Sequence, residues 1–434
     1  MEISIVGGGL AGAEAAYQIA QRGTDVTLYE MRPSAFTPAH KTARLAELVC
    51  SNSMKSKELA NAHGLLKEEL SILGSLIIRV ARKTAIPGGK ALVVDREKFA
   101  QWITAEIESN THIRVVREEV GEIPSGMVII ATGPLTSNRL AETMGILTGE
   151  ENLSFFDAIS PVIDAESVDM EKAFYASRYM EEKNDDYLNC PLTEEEYNHF
   201  YEELVNAGRV EFKEFEKTSY FEGCLPIEVM AERGRQTLLY GPMKPVGLID
   251  EHTGKRPFAV IQLRKENAGG TMFNLVGFQT KLTYQEQDRV LRLVPALKSA
   301  LFLRYGSVHR NTYIQSPAVL SKSLQLKKNS NIFFAGQITG VEGYVESTAM
   351  GYVAGLSAHV YSRGKAFLPP PQDTCVGALL RYITTETKNF QPMNVNFGLF
   401  KDYRKREKEK AVRRALESIA LWKKTIDEEM YQKF

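Results

Sequence analysis

The first thirty residues of the chain constrain its fold more than any other stretch. Ile3–Val6 forms a predicted buried strand, and Gly7, Gly9 and Gly12 follow it in the pattern G-x-G-x-x-G. The glycines permit a tight turn, close approach of the backbone to a pyrophosphate, and packing of the next helix on the strand. That helix is predicted over Ala11–Arg22, and its N-terminus favours anions. The pattern therefore predicts a βαβ unit that binds a dinucleotide.

The second predicted strand ends at Glu30, whose carboxylate can accept hydrogen bonds from ribose hydroxyls. Two later stretches then indicate FAD rather than NAD as the dinucleotide. Met127–Pro134, MVIIATGP, is a strand like those that return the chain to the cofactor in flavoproteins. Asn331–Gly355 contains a strand, a glycine turn and a helix of small residues whose N-terminus can point at a flavin. The predicted cofactor-binding residues are Gly7, Gly8, Gly9, Leu10, Ala11, Gly12, Glu30, Arg32, Ala131, Thr132, Gly133, Gly336, Gln337, Gly340 and Tyr344.

Length and local composition set the predicted domain organisation. A chain of 434 residues exceeds one typical domain. Beyond about residue 154 the sequence changes to aromatic segments of mixed charge. We therefore predict an α/β protein with a discontinuous, Rossmann-like FAD-binding domain of the glutathione-reductase type over residues 1–154 and 330–434. An α/β substrate domain is inserted over residues 155–329.

Charge and cysteine usage exclude several classes of protein. Lys plus Arg total 53 against 54 Asp plus Glu, so an RNA site must be a local basic patch. The cysteines are widely spaced with no C-x-x-C pair, which argues against a zinc site and against a secreted disulfide framework. No apolar run reaches membrane-spanning length, and the chain starts directly on a strand. A cytoplasmic protein without a metal site or membrane contact is expected.

Two of the cysteines occupy distinctive positions. Cys50 follows Arg44–Val49, an apolar segment predicted as a short helical turn. Cys224 lies between a glycine that frees the backbone and the Leu-Pro226 pair that extends it. A cytosolic cysteine is more often a small buried hydrophobe than a nucleophile, and Cys190 receives that structural interpretation.

Periodicity predicts several of the remaining elements. Leu76–Thr84, Val210–Phe215 and Thr237–Tyr240 are predicted strands. Glu97–Ser109 is a predicted helix with an apolar stripe that faces the core, and Asp95 can cap its start.

Short motifs spread over essentially the whole chain carry a resemblance to a known family. They are VGGGLAGAEAA at Val6–Ala16, YEMRP at Tyr29–Pro33, LAELVCSNS at Leu45–Ser53, ALVVDREKFA at Ala91–Ala100, ATGPLTS at Ala131–Ser137, FEGCLPIEVMAERG at Phe221–Gly234, GPMKPVGL at Gly241–Leu248 and AGQITGVEGYVES at Ala335–Ser347. In these motifs the chain resembles the folate- and flavin-dependent tRNA uracil-5 methyltransferases. The glycine motif and the AGQ stretch also resemble the larger GidA-type tRNA-modifying flavoproteins, whereas the cysteine-bearing motifs and the length favour the methyltransferases.

The resemblance implies an enzyme that forms 5-methyluridine in the T-loop of tRNA. The carbon comes from 5,10-methylenetetrahydrofolate, reduced FAD supplies two electrons, and NAD(P)H regenerates the reduced cofactor. Uracil C5 is a poor nucleophile, so a cysteine thiolate must first add to C6. Cys224 is the predicted nucleophile. Cys50 is expected near the flavin, where it could shield the methylene group, remove the C5 proton, or exchange roles with Cys224.

Two further stretches are predicted to bind the substrates. SVHRNTY at Ser307–Tyr313 offers His309, Arg310 and Asn311 to the folate, with the imidazole stacked on the pterin. The basic run Lys401–Arg414 continues into a helix that can contact the tRNA T-arm. No obligate protein partner is evident.

Other interpretations stay open at this point. A GidA-like modifier of wobble uridine would need a GTPase partner and should not depend on both cysteines. A flavoprotein that binds tRNA without modifying it, or a plain NAD(P)H oxidoreductase, would use the cysteines only structurally. The choice between NADH and NADPH and the oligomeric state are also open.

Overall fold

The computed structural model describes residues 2–149, 153–178, 185–210, 225–387, 390–401 and 404–431. Its strands are β1 Ile3–Val6, β2 Val26–Tyr29, β3 Ser53–Ser56, β4 Ala85–Ile86, β5 Ala91–Val94, β6 Ile113–Val116, β7 Met127–Ile130, β8 Leu153–Ile159, β9 Val162–Asp164, β10 Phe174–Tyr175, β11 Tyr187–Leu192, β12 Ala259–Lys265, β13 Met272–Leu275, β14 Phe302–Arg304, β15 Ser307–Tyr313, β16 Gln325–Leu326 and β17 Asn329–Phe334. Its helices are α1 Leu10–Ala20, α2 Ala62–Leu73, α3 Leu76–Lys83, α4 Arg96–Glu108, α5 Asn138–Thr148, α6 Glu194–Asn206, α7 Ile227–Glu232, α8 Thr237–Tyr240, α9 Tyr284–Leu291, α10 Ser316–Val319, α11 Tyr344–Ser362, α12 Cys375–Thr384 and α13 Lys408–Tyr431.

The larger core surrounds a six-stranded sheet with the order β16-β17-β7-β1-β2-β6. β1 lies between β2 and β7, and both pairs are parallel, with Ile3 opposite Val26 on one side and Met127 on the other. Ile3 and Ile5 are fully buried, as expected for a parallel sheet that is covered on both faces. The carboxyl ends of β1, β2, β7 and β17 therefore meet at one edge of the sheet.

α1 and α11 pack closely through small residues. A Cβ on Gly351 would lie 2.3 Å from the carbonyl oxygen of Ala11, and one on Gly355 would lie 2.8 Å from that of Ala15. Only glycine permits backbones to approach this closely. Because the pairs follow the same order in both helices, the helices run in the same direction, and both start near the carboxyl edge of the sheet.

A second core lies against an antiparallel sheet with the order β10-β11-β12-β13-β9-β14. Ala259, Ile261 and Leu263, alternate residues of β12, are buried in this core together with side chains of α6, α7 and α9. The same alternation turns Gln262 and Arg264 to the opposite face. β8 and β15 form a separate antiparallel pair, and β3, β5 and β4 form a small sheet.

Two predicted strands are helices, so these predictions are wrong. Leu76–Thr84 forms α3 because Leu76, Ile77, Val80 and Ala81 are all buried at helical spacing. The side chain of Ser75 caps α3 by accepting a hydrogen bond from the backbone of Ile78. Thr237–Tyr240 forms the short helix α8.

The segment before Cys50 is also not the predicted helical turn. Leu45 and Ala46 form an isolated turn in which Ala46 has a φ of 50°, a left-handed conformation that a helix does not contain. The strand predicted at Val210–Phe215 lies almost entirely outside the described residues. The helix predicted at Glu97–Ser109 is confirmed as α4, and Asp95 caps it by accepting from the backbone of Lys98.

The predicted α/β fold class is confirmed. β16 and β17 belong to the six-stranded sheet, in which β16 pairs antiparallel to β17, and the strands between Val162 and Arg304 form the other, antiparallel sheet. The domain limits at residues 154 and 330 stay a prediction. Of the helices that the structure describes, none has both the length and the apolar composition to cross a bilayer. Within the same ranges, no three His, Cys, Asp or Glu side chains come together as ligands for a metal ion.

Candidate active site

The glycine turn after β1 forms the floor of a cleft at the carboxyl edge of the parallel sheet. Gly7 has a φ of 106°, and a Cβ there would lie 2.6 Å from the carbonyl oxygen of Ala131. A Cβ on Gly12 would lie 1.8 Å from the carbonyl oxygen of Gly7, whereas no described atom lies within 4 Å of a Cβ on Gly9. Packing within the protein therefore requires Gly7 and Gly12, and the space beside Gly9 belongs to the cleft.

The start of α1 is the part of the cleft suited to a phosphate. Its N-cap is Gly9, which has no side chain to accept a hydrogen bond from the first turn, and that turn carries no acidic residue. The first backbone N–H groups thus remain available to a ligand, and the helix dipole adds positive potential.

Glu30 ends β2 beside the glycine turn and is 5% exposed. Its Oε2 accepts from the backbone of Gly8 at 3.0 Å and from Nη2 of Arg32 at 3.1 Å, and its Oε1 accepts from the backbone and Nε of Arg32 at 3.1 and 2.8 Å. Burial alone would raise the pKa of Glu30, but the hydrogen bonds and charge of Arg32 lower it. These donors fill the acceptor sites of the carboxylate, so a ribose hydroxyl must displace one of them. The ribose contact stays a prediction.

Arg32 is almost fully buried and joins two carboxylates. Its Nε bonds to Glu30, and its Nη1 lies 3.0 Å from Oε2 of Glu47. Glu47 also accepts from the backbone N–H groups of Lys41 and Thr42. Arg32 therefore orders the loop after β2 into one wall of the cleft.

The cleft and the solvent at its mouth together contain about 1020 Å³ of empty space. The predicted cofactor-binding residues that line it are Gly7, Gly8, Gly9, Leu10, Ala11, Glu30, Arg32, Ala131, Thr132, Gly133, Gly336, Gln337 and Tyr344. Gly12 packs behind the turn, and Gly340 packs against Phe390, whose ring would lie 2.3 Å from a Cβ on that glycine. The uncapped helix start and the open space at Gly9 fit a dinucleotide.

Several lining residues are not among the predicted cofactor contacts, although some of them lie within the quoted motifs. They are Val6, Tyr29, Met31, Thr37, His40, Glu47, Val49, Glu118, Glu119, Val120, Pro134, Leu135, Thr136, Ser137, Leu140 and Ser347. Most of them follow the carboxyl ends of β2, β6 and β7. The rule that ligands bind beyond these ends of a parallel sheet could have indicated the loops, although not the individual residues.

Cys50 lies where this cleft approaches the start of α11. Val49 and Tyr344 line the cleft, and the Tyr344 hydroxyl accepts from the backbone of Cys50 at 2.9 Å and of Ser51 at 3.1 Å. Burial, followed by the neighbouring Cys50, raises the pKa of Tyr344, so the phenol stays protonated and keeps one proton to donate. Cys50 itself is partly exposed.

Replacing Tyr344 by phenylalanine should loosen the Cys50 segment. The change leaves two backbone N–H groups without their acceptor, which costs roughly 1–3 kcal/mol for each group that stays buried. We expect a lower free energy of unfolding and faster reaction of Cys50 with a disulfide reagent, measured in a Cys224→Ser background. Tyr361→Phe is the matched control, because Tyr361 bonds only to exposed Ser330 among the contacts described. Equal thiol reaction rates in the two variants would contradict the role given to Tyr344.

A charged cluster surrounds the first turn of α11. Oε1 of buried Glu346 lies 3.2 Å from Nδ1 of His63 and 3.7 Å from Nζ of Lys55. Burial alone would raise the pKa of Glu346, but the charge of Lys55 and the hydrogen bond and charge of His63 lower it to about 2. Nearby, burial lowers the pKa of Lys67 to about 8 against the opposing effect of Glu346. The cluster adds positive charge to the helix end that faces the cleft.

Some predicted site residues cannot be placed within this geometry. Cys224 lies outside the described residues. The backbone of His309, Arg310 and Asn311 belongs to β15, in which His309 pairs with Asp157, but their side chains are outside the description. Their roles stay predictions.

The other described cysteines are interior residues. Cys190 lies on β11 in the second core, and Cys375 starts α12, where its backbone N–H donates to Glu69 at 2.7 Å. Burial raises the pKa of both thiols. The structural interpretation of Cys190 is confirmed.

α13 presents a buried side and a basic side. Ala415, Ile419 and Trp422 pack into the larger core, and Val412 and Leu416 are partly buried against it. The exposed basic residues at its start and just before it are Arg404, Arg406, Lys410, Arg413 and Arg414.

A parallel sheet with a glycine turn at its edge and two uncapped helix starts around one cleft defines a dinucleotide-binding protein of the glutathione-reductase type. A family model described as Glucose inhibited division protein A matches residues 2–366. Among solved structures, GidA from Aquifex aeolicus superposes with a TM-score of 0.73 at 17% identity, covering 99% of this chain and 75% of that one. At this identity the superposition supports the fold alone.

Curated relatives narrow the family. The chain is 55% identical over 427 residues to a protein of Syntrophus aciditrophicus, with 97% of each chain covered. It is 56% identical over 428 residues to a protein of Aquifex aeolicus, with 97% of this chain and 96% of that one covered. Both are named methylenetetrahydrofolate–tRNA-(uracil-5-)-methyltransferase TrmFO. The chain belongs to this methyltransferase family within the GidA group, and the resemblance seen in the motifs is confirmed.

Proposed function

We propose that the protein transfers a carbon from 5,10-methylenetetrahydrofolate to C5 of a T-loop uridine in tRNA, with FAD as cofactor and NAD(P)H as reductant. The observation that carries the proposal is the position of Cys50. In a chain more than half identical to the named methyltransferases, it lies beside the end of a cleft that fits a dinucleotide. The products are 5-methyluridine, tetrahydrofolate and NAD(P)+, and one proton is consumed.

The chain's own residues hold the cofactor. FAD, when bound, supplies the two electrons that take the carbon from the methylene to the methyl oxidation level. The backbone N–H groups at Gly9 and at the start of α1 would bind its pyrophosphate. Tyr344, at the start of α11, donates its remaining proton into the cleft and fixes the Cys50 segment at the same time.

The cysteines supply covalent catalysis at the base. The thiolate of Cys224 adds to C6 of uracil, which makes C5 an enolate carbon that takes up the one-carbon unit. Loss of the C5 proton then allows elimination of the thiolate from C6. Cys50, with its backbone held by Tyr344, is positioned to remove that proton, to shield the one-carbon unit, or to take the nucleophile's place.

Residues of the second domain and of α13 bind the substrates at this site. We place the FAD-binding domain at residues 1–154 and 330–434 and the substrate domain at 155–329. His309, Arg310 and Asn311 contact the folate, and the exposed basic residues around the start of α13 contact phosphates of the T-arm. A tRNA substrate gives the protein a cytoplasmic location.

Transfer of label tests the proposal directly. The wild type, Cys50→Ala, Cys224→Ala and the control Cys190→Ala receive methylene-labelled methylenetetrahydrofolate, NADPH and an unmodified tRNA transcript. We expect labelled 5-methyluridine from the wild type and from Cys190→Ala, and at least about a 10³-fold loss in Cys224→Ala, since covalent catalysis is removed.

Two outcomes would contradict the proposal. A wild type that binds FAD and oxidises NADPH but leaves the tRNA unlabelled is an oxidoreductase or a modifier of another base. Full formation of labelled 5-methyluridine in both the Cys50 and Cys224 variants would rule out covalent catalysis by these thiols, and label recovered in a wobble uridine would favour a GidA-like reaction instead.

A further inference from the structure

One face of the antiparallel sheet carries a row of side chains directed at the segment Val49–Asn52. Cross-strand partners lie on the same face of a sheet. The register aligns Arg264 with Asn274, Asn274 with Val162, and Val162 with Arg304. Their sequence neighbours on β12, β13 and β9 are buried in the second core on the opposite face. The row therefore faces the larger half of the molecule.

A β-bulge in β14 brings Arg304 into this row. Phe302 lies opposite Ile163, and Arg304 lies opposite Val162, so the register shifts between them. Phe302 packs against the second core, and residues two apart on a regular strand share a face. The bulge turns Arg304 to the other face, as bulges beside functional sites commonly do.

Two guanidinium groups of the row hold the backbone and side chains around Cys50. Nε of Arg264 donates to Oδ1 of Asn52 at 3.0 Å, and its Nη2 donates to Oγ of Ser51 at 2.7 Å. Nη1 of Arg304 donates to the carbonyl oxygen of Val49 at 3.4 Å. The row and the Cys50 segment thus form one site.

Three donor atoms of the row are buried without a hydrogen-bond partner among the described residues. They are Nε and Nη2 of Arg304 and Nδ2 of Asn274. Nε and Nη2 form the edge of a guanidinium that binds both oxygens of a carboxylate or phosphate. The neighbouring Arg96 uses this edge for Glu266, with Nε to Oε2 at 2.9 Å and Nη2 to Oε1 at 3.2 Å. The same edge of Arg304 has no anion among the described residues.

The charged side chains around Cys50 also lack an anion. Three arginines lie around the Cys50 segment: Arg96, Arg264 and Arg304. Among the contacts described for them, the one carboxylate is that of Glu266, so the positive charges exceed the negative ones by two. Burial, followed by the charge of Arg96, lowers the pKa of Arg304. An unpaired buried charge is costly to the folded protein. A bound anion offsets that cost, and the partly exposed Cys50 and Ser51 leave it a route of entry.

We propose that Arg304, assisted by Asn274, binds an oxyanion of a substrate beside Cys50 through its free edge. The identity of the substrate rests on the proposed function. Two sources supply such a group: the glutamyl carboxylates of the folate and a backbone phosphate of the tRNA T-arm. Arg304 is then a binding residue that fixes its substrate relative to the Cys50 thiol.

Binding measurements with Arg304→Met distinguish the two sources. The probes are tetrahydrofolate, tetrahydropteroylamide, which keeps the ring system but has an uncharged amide in place of glutamate, and a T-arm RNA hairpin over a series of salt concentrations. If a carboxylate binds, the variant loses about 10- to 100-fold in affinity for tetrahydrofolate and no longer prefers it to tetrahydropteroylamide. If a phosphate binds, the variant loses affinity for the hairpin, and the salt slope falls by about 1. Arg289→Met is the control, because Arg289 forms ion pairs at the surface of the same half.

Thermal unfolding without ligand supplies an independent readout. Removing a partly buried guanidinium that has no anionic partner among the described residues should leave the melting temperature of Arg304→Met unchanged or raised, whereas loss of a structural arginine would lower it. Unchanged affinity for all three probes would overturn the proposal, and so would a lowered melting temperature with equal losses for every probe. These assays need no methyl transfer, so a wild type that binds the probes but forms no 5-methyluridine would disprove the proposed function alone.

Discussion

Alanine at Gly9 is expected to weaken FAD binding strongly and leave the protein folded, whereas alanine at Gly12 is expected to weaken FAD binding and also to destabilise the fold. A Cβ on Gly9 meets no described protein atom, and its φ of −73° is accessible to alanine. The free energy of unfolding of the FAD-free protein should therefore change by at most about 1 kcal/mol, the usual effect of alanine at an N-cap. A Cβ on Gly12 lies 1.8 Å from the oxygen of Gly7, which should cost about 3 kcal/mol or more.

Flavin absorbance of the purified variants and titration of the FAD-free protein with FAD measure the first effect. Circular dichroism during urea unfolding measures the second. A methyl group in the pyrophosphate site should weaken FAD binding at least about 100-fold. Wild-type affinity in Gly9→Ala would show that the cofactor does not occupy the space beside this residue. A stable Gly12→Ala protein would show that α1 can shift away from β1.

These two positions also mark what the sequence can predict about the fold. The turn at Gly7, Gly9 and Gly12 depends on contacts within a dozen residues, so the local pattern predicts β1 and α1 correctly. The residues of α3 are predicted as a strand because their charges suggest alternation. Their apolar residues nevertheless recur at helical spacing after the capping Ser75, so the local pattern itself favours a helix and the strand prediction rests on the wrong period.

The active site depends more strongly on distant parts of the chain. A motif predicts Cys50 near the flavin, but the hydroxyl that holds its backbone comes from Tyr344, 294 residues away. The polar row that meets the same segment is assembled from four strands, and Arg304 joins it through a bulge that the sequence does not reveal. The residue types of a site can thus be anticipated from motifs. The contacts that orient them require the three-dimensional register.

The substitution Glu346→Gln is expected to lower the free energy of unfolding strongly. We expect a larger loss than from any other Glu→Gln or Asp→Asn substitution near the cleft. Glu346 is 1% exposed and accepts from the backbone of Val395 at 3.2 Å while it faces Lys55 and His63. Its removal leaves the ammonium of Lys55 beside the positive end of α11, where the helix dipole already opposes it. Loss of one partner from a buried charged cluster costs about 3–5 kcal/mol. Urea unfolding at pH 7 measures the loss.

The pH dependence separates this electrostatic effect from a defect in packing. The pKa of Glu346 is lowered to about 2 in the folded protein from 4.5, so the folded state binds fewer protons than the unfolded state between these values. The stability that Glu346 contributes is therefore complete above about pH 5 and is lost as the pH falls through 2. Glu346→Gln should differ from the wild type by about 3 kcal/mol at pH 6 and should approach it near pH 2. Glu68→Gln, which breaks an exposed pair with Arg82, should change stability by at most about 1 kcal/mol. The difference in the free energy of unfolding between Glu346→Gln and the wild type could instead stay constant down to pH 2. That result would mean that the amide disturbs packing, and that the charge of Glu346 does not hold the start of α11 in place.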